Sequence, residues 1–123
     1  MTLLDTNILI EICRDNANIA SIVDNMHEVA VCDVVRAELY YGARNKRELQ
    51  EISADLDGLT VLPILPQISE MAVGLVKTYC LSHKLEFADA LIAATAIYHN
   101  AELYTLNRKD FAYIPNLKLY QLK

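Results

Sequence analysis

The stretch MTLLDTNILI, residues 1–10, decides the fold. It places a single carboxylate, Asp5, between two apolar runs. Residues Thr2 to Leu4 are typical of a short buried strand, and Thr6 and Asn7 supply helix-capping side chains before the next apolar segment. Asp5 is therefore predicted at the carboxyl end of a strand, facing the start of a helix. In open α/β sheets, ligand-binding sites form at this position.

The rest of the chain alternates short apolar strands with amphipathic helices. Further strands are predicted at Val29–Cys32, Thr60–Ile64, Glu102–Thr105 and Leu117–Leu122. Helices are predicted at 7–14, from about 17 to 25, at 34–44, at 44–58, from before Ile68 to about His83, and at 87–100. The helix at 87–100 is predicted to be buried on more than one side, because Asp89 is its only charged residue up to Tyr98. This alternation predicts one α/β domain over residues 1–123, with a mostly parallel, doubly wound central sheet and helices on both faces.

The composition narrows the class of protein. No apolar run approaches the roughly 18 residues of a membrane span, and no basic segment precedes the first strand, so we expect a cytoplasmic protein without membrane contact. The three cysteines lack metal-ligand spacing and are predicted to be buried free thiols. The net charge of -5 argues against a protein that coats nucleic acid electrostatically. It leaves nucleic-acid chemistry open if several acids hold cations.

Four acids stand out because their neighbours are apolar: Asp5, Glu38, Asp89 and Asp110. A buried carboxylate without a partner costs several kcal/mol, so each acid should be paired, hydrogen-bonded or bound to a metal ion. No Lys or Arg lies in the segments that carry Asp5 or Asp89. Mg²⁺ or Mn²⁺, which prefer oxygen ligands, would neutralise such a cluster.

Each of the four acids also has a purely structural interpretation. Asp5 could cap the first helix, Asp89 could be a first-turn acid, Glu38 could extend to solvent, and Asp110 could be an ordinary turn residue. The joint pattern favours a site. Asp5 and Asp110 both follow strands of a parallel sheet, which brings them to one edge, and Glu38 and Asp89 can reach that edge from adjoining helices.

Four polar residues near the same edge have two interpretations that the sequence leaves open: Thr6, Asn7, Thr105 and Asn107. They are capping and turn residues, or they hydrogen-bond the acids and fix their orientation.

Four segments then carry a resemblance to a known family. LLDTNILI, VVRAELYYGA around Glu38, FADALIAATA around Asp89 and LYTLNRKDF near the end resemble, in order and spacing, the PIN-domain ribonucleases, and in particular the VapC-type toxins of toxin-antitoxin pairs. The similarity extends from Leu3 to Phe111. It implies an α/β/α sandwich, a metal-dependent endoribonuclease, a homodimer, and neutralisation by a small antitoxin protein.

The resemblance also implies site residues. The acids of the family correspond to Asp5, Glu38 and Asp89, which we expect to bind one or two Mg²⁺ or Mn²⁺ ions. Many PIN domains have an aspartate where this chain has Asn107, and the nearest acid here is Asp110. The expected function is hydrolysis of RNA phosphodiester bonds, with either Asn107 or Asp110 completing the site. The alternative is a PIN-fold module that has lost catalysis and acts through RNA or antitoxin contacts.

Overall fold

The computed structural model describes residues 1–122 and contains a five-stranded, all-parallel sheet in the order β3-β2-β1-β4-β5. The strands are β1 (Thr2–Leu4), β2 (Val29–Cys32), β3 (Thr60–Leu62), β4 (Glu102–Tyr104) and β5 (Lys118–Leu119). The predicted parallel sheet is confirmed. β3 lies at one edge and is followed by Pro63, which fits this position because proline cannot donate to a neighbouring strand.

β1 lies at the centre of the sheet, and its fully buried Leu3 is in register with Ala30 of β2 and Leu103 of β4. The chain builds β2 and β3 on one side of β1 and then returns to build β4 and β5 on the other. The gap between β1 and β4 is therefore the point where the strand order reverses, which is the preferred place for a binding site in such sheets.

Within residues 1–122, six helices cover the sheet in an α/β/α sandwich. They are α1 (Thr6–Cys13), α2 (Ala17–Asp24), α3 (Asp33–Tyr41), α4 (Lys46–Asp57), α5 (Pro66–His83) and α6 (Phe87–Tyr98), and a short 3₁₀ helix covers Arg108–Asp110. Pro66 opens α5 at a position where its missing N–H is not needed. Gly58 ends α4, as predicted.

The helix α6 is the most extensively buried of the helices. Every residue from Ala90 to Ala96 is buried, and the Thr95 hydroxyl donates to the Leu91 carbonyl at 2.7 Å, so its polar group is satisfied inside the helix. The predicted all-round burial is confirmed. This packing fixes the start of α6, and with it Asp89, in position.

Several predicted boundaries are wrong by a few residues. The helix α1 begins at Thr6, because Asp5 and not Thr6 or Asn7 is its N-cap. α3 ends at Tyr41 and not Arg44, whose guanidinium and backbone N–H both bond the Glu48 carboxylate on α4. The fifth strand has two residues and not six.

The predictions on cysteines and membrane contact have different outcomes. Cys32 is buried and Cys80 partly buried, but Cys13 at the end of α1 is exposed, so the prediction of three buried thiols is wrong for that residue. Across residues 1–122, no helix is both long and apolar enough to cross a membrane.

Candidate active site

The four predicted acids lie on four different elements around the carboxyl end of the central strands. Asp5 directly follows β1, Glu38 lies on α3, Asp89 is in the first turn of α6, and Asp110 ends the 3₁₀ helix after β4. After burial, which is the largest cause, the carboxylates of Glu38 and Asp110 raise the pKa of Asp5, and those of Asp5, Glu38 and Asp110 raise the pKa of Asp89. The structure therefore brings these four residues together, and we call them the acid cluster.

Asp5 is buried and accepts three hydrogen bonds. Its Oδ1 accepts from the backbone N–H of Thr6 at 2.8 Å, and its Oδ2 accepts from the Thr105 hydroxyl at 2.7 Å and from Asn7 Nδ2 at 3.3 Å. Its own N–H donates to the Tyr104 carbonyl at 3.0 Å. Both oxygens and the backbone of Asp5 are thus fixed between β1 and β4.

Thr105 and Asn7 connect the two strand ends. The Thr105 hydroxyl donates to Asp5 and accepts from the backbone N–H of Asn107 at 3.0 Å. Asn7 Oδ1 accepts from the N–H of Leu106 at 3.2 Å. Thr105 and Asn7 therefore hold Asp5 in place, while Asn107 contributes its backbone N–H to that network.

Glu38 is held by the start of α1. Its Oε1 accepts from the Thr6 hydroxyl at 2.6 Å, and its side chain is exposed. Thr6 thus serves two acids, because its backbone N–H bonds Asp5 and its hydroxyl bonds Glu38.

Burial and mutual repulsion disfavour the ionised form of Asp5 and Asp89 in the acid cluster. Burial raises the pKa of Asp5, against the opposing effect of the hydrogen bonds from Thr105 and Thr6. Burial, followed by the charges of the other acids, raises the pKa of Asp89 to about 6. The ion pairs formed among residues 1–122 use other acids, namely Glu11, Asp33, Glu48 and Glu51. No basic side chain in this part of the chain neutralises the acid cluster through a salt bridge.

The carboxylate oxygens of the acid cluster are the type of ligand that a hard divalent cation prefers. Carboxylate oxygens from several elements, in mutual repulsion and without a basic partner, are what Mg²⁺ or Mn²⁺ binds. Within residues 1–122, however, no three His, Cys, Asp or Glu side chains already surround a common point as metal ligands would. Glu38 is turned towards Thr6. Coordination would therefore require side-chain rotation, which the exposed Glu38 permits.

One neighbour of the acid cluster was missed from the sequence. Tyr113 lies three residues after Asp110, and burial together with the charges of Asp89 and Asp110 raises its pKa. In the sequence, the position of Tyr113 among its apolar neighbours does not distinguish it from a tyrosine of the hydrophobic core. Its position depends on how the loop after the 3₁₀ helix folds back onto α5, which no local pattern encodes.

Comparison with known proteins gives matches along nearly the whole chain. A family model described as PIN domain matches residues 2–117. Ribonuclease VapC19 of Mycobacterium tuberculosis is 32% identical over 123 residues, covering 96% of this chain and 98% of that protein. Ribonuclease VapC2 of Rickettsia felis is 31% identical over 126 residues, covering 95% of this chain and 94% of that protein.

Solved structures show the same architecture. A chain of a toxin-antitoxin complex from Klebsiella pneumoniae aligns with a TM-score of 0.82 and 31% identity, covering 99% of this chain and 100% of that one. A chain of VapBC2 from Rickettsia felis, bound to a DNA fragment from its promoter, aligns with a TM-score of 0.82 and 27% identity, covering 99% of this chain and 98% of that one.

Proposed function

Since the chain belongs to the PIN-domain family, we propose that it is an endoribonuclease that acts as the toxin of a toxin-antitoxin pair. Relatives of nearly the same length carry the name ribonuclease, and structures of the same architecture come from toxin-antitoxin complexes. The observation that carries the proposal is the acid cluster, in which four carboxylates from separate elements lie near the carboxyl ends of β1 and β4 and form no salt bridge within the described residues. The partners of the protein are then an RNA substrate and a small antitoxin protein.

We further propose that catalysis depends on Mg²⁺ or Mn²⁺, with Asp5, Glu38 and Asp89 as ligands of one or two ions and Asp110 as the fourth acid. When bound, a divalent ion stabilises the charge that develops on phosphodiester oxygens and makes a nearby water more acidic. The donor chemistry and the raised pKa values of Asp5 and Asp89 support this assignment.

The residues around the acid cluster have roles that follow from their hydrogen bonds. Thr105 and the Thr6 backbone hold Asp5 in one orientation, and Asn7 joins the two strand ends. Near pH 6 the Asp89 carboxylate is protonated part of the time, because its pKa is about 6. Protons and cations therefore compete for this carboxylate, and cation binding should weaken as the pH falls through 6.

The decisive test is Asp5→Asn, which keeps the shape of the side chain and removes its charge. We expect loss of RNA cleavage with an unchanged circular dichroism spectrum, and we expect EDTA to abolish wild-type cleavage and Mn²⁺ or Mg²⁺ to restore it. Glu70→Gln is the matched control, because Glu70 is an exposed acid on α5. Metal-dependent cleavage by Asp5→Asn, or wild-type cleavage that is indifferent to EDTA, would contradict the proposal.

One observation favours a second candidate function. Asn107 stands where many family members have an aspartate, and its backbone N–H is its contact to the network around Asp5. A PIN-fold module that binds RNA or antitoxin without cleaving would have such a changed site. Titration with Mn²⁺ combined with a cleavage assay separates the two, because the non-catalytic module gives no cleavage at any metal concentration.

Sedimentation equilibrium tests whether the protein forms the homodimer that the family resemblance implies.

A further inference from the structure

Three aromatic rings form a cluster beside the start of α6, which we call the aromatic cluster: Tyr79, His83 and Tyr113. The imidazole of His83 stacks on the ring of Tyr113, with centroids 3.8 Å apart and planes 12° from parallel. Tyr79 meets both rings edge-on, at 5.7 Å from His83 and 5.0 Å from Tyr113. Because the third ring contacts both members of the stack, the orientation of the stacked pair is fixed.

The aromatic cluster adjoins the acid cluster. His83 is the last residue of α5, and α6, which carries Asp89 in its first turn, begins at Phe87. Tyr113 follows Asp110 by three residues, and burial together with the charges of Asp89 and Asp110 raises the pKa of its hydroxyl. The aromatic cluster is therefore positioned to contact a nucleotide that neighbours a phosphodiester at the acid cluster.

His83 is not needed to complete the core at this point. Tyr79 and Tyr113 are partly buried against the core, whereas the side chain of His83 is exposed. The residues that close the core in this loop are Phe111 and Ile114, which are 1% and 3% exposed. The hydroxyl of Ser82 bonds His83 Nδ1 at 2.8 Å, which further restrains the ring. The result is a flat ring, backed on one face by Tyr113 and accessible to solvent.

We propose that His83, backed by Tyr113, is a platform on which an unpaired base of single-stranded RNA stacks next to the phosphodiester held at the acid cluster. The proposal rests on the ribonuclease function proposed above. Four clustered acids and a net charge of -5 repel the phosphate backbone, so RNA needs a contact that is not electrostatic. Stacking supplies one, and it accepts any base because every base has a flat aromatic face.

The test mixes the full chain with Mn²⁺ and single-stranded RNA 12-mers that carry 2-aminopurine at successive positions, and reads fluorescence by stopped flow before cleavage occurs. Stacking on the platform quenches 2-aminopurine fluorescence. We expect quenching at one position with the wild type. His83→Ala should lose it and weaken RNA affinity by roughly tenfold, the size typical of losing one stacking ring, and His83→Phe should keep both. Tyr98→Ala is the matched control, since Tyr98 is an exposed aromatic at the opposite end of α6.

The outcomes separate this inference from the function on which it rests. Absence of quenching in the wild type, or equal quenching in the wild type and His83→Ala, overturns the platform even if RNA is cleaved. Loss of quenching in His83→Phe as well as in His83→Ala also overturns it, because the polar imidazole and not a stacking face would then matter. A changed oligomeric state of His83→Ala with unchanged quenching makes the cluster a protein contact instead. Quenching without any metal-dependent cleavage supports the platform and refutes the nuclease.

Discussion

Replacing Asp89 by asparagine should stabilise the metal-free protein at pH 8. The pKa of Asp89 is raised from 3.8 to about 6 by burial and by the neighbouring acids. At 1.36 kcal/mol for each pKa unit, that difference sets an upper limit of about 3 kcal/mol on the gain in the free energy of unfolding. Asp89 is only partly buried, so solvent screening reduces the expected gain to about 1–2 kcal/mol.

The sign of the pH dependence follows from proton binding. Between pH 3.8 and 6 the folded state binds more protons at Asp89 than the unfolded state does, so wild-type stability falls as the pH rises through this window. The destabilisation caused by the charged form of Asp89 is fully present above about pH 6 and absent below pH 3.8. Asparagine has no charge to bury, so the gain of Asp89→Asn should be largest at pH 7–8 and should vanish near pH 4.

Urea denaturation in EDTA at pH 4, 6 and 8, followed by circular dichroism, measures this gain for Asp89→Asn, with Glu70→Gln as the exposed control acid. In a second series with Mn²⁺ in place of EDTA, the order should reverse, because a cation that binds the folded acid cluster stabilises the wild type more than the variant. Equal effects of Asp89→Asn at pH 4 and pH 8, or no gain at pH 8, would refute the reasoning.

Three further substitutions test other parts of the structure. Thr105→Val removes the hydroxyl that donates to Asp5 at 2.7 Å and should lower kcat/KM for RNA cleavage by roughly tenfold or more; unchanged kinetics would show that this hydrogen bond does not position Asp5. Ile92→Ala truncates a fully buried side chain and should lower the free energy of unfolding by about 2–5 kcal/mol, so a smaller loss in urea denaturation would contradict the packing of α6. Asn45→Ala removes the cap that accepts from the N–H of Glu48 at 2.9 Å; it should cost about 1 kcal/mol and leave cleavage unchanged.

The sequence was sufficient to predict the parallel sheet and the placement of Asp5 and Asp110 after neighbouring strands, because both follow from periodicity. Short apolar strands between longer helices dictate a parallel sheet, and a parallel sheet places the ends of β1 and β4 at one edge. The two interpretations of Asp5 also proved compatible. Its Oδ1 caps α1 as the structural interpretation required, and its Oδ2 faces Thr105 among the other acids.

The sequence could not predict contacts that depend on loops and rotamers. The bond from Thr6 to Glu38 joins residues 32 positions apart and depends on the rotamers of two side chains. The stack of Tyr113 on His83 depends on the return of the loop after the 3₁₀ helix to the end of α5. Local propensity also failed at helix ends, since Arg44 could have continued α3 but bonds Glu48 of α4 instead.

The position of Asp89 shows which force dominates at the site. An acid in the first turn of a helix is normally stabilised as an anion by the helix dipole, by about 0.3–1 kcal/mol. The pKa of Asp89 is nevertheless raised to about 6, so burial and repulsion from Asp5, Glu38 and Asp110 outweigh the dipole. The position of Asp89 in the first turn of α6 therefore does not by itself account for its raised pKa. The well-packed core of α6 holds a carboxylate where its charge is unfavourable, and a divalent cation among the four acids would turn that same arrangement into an attractive one.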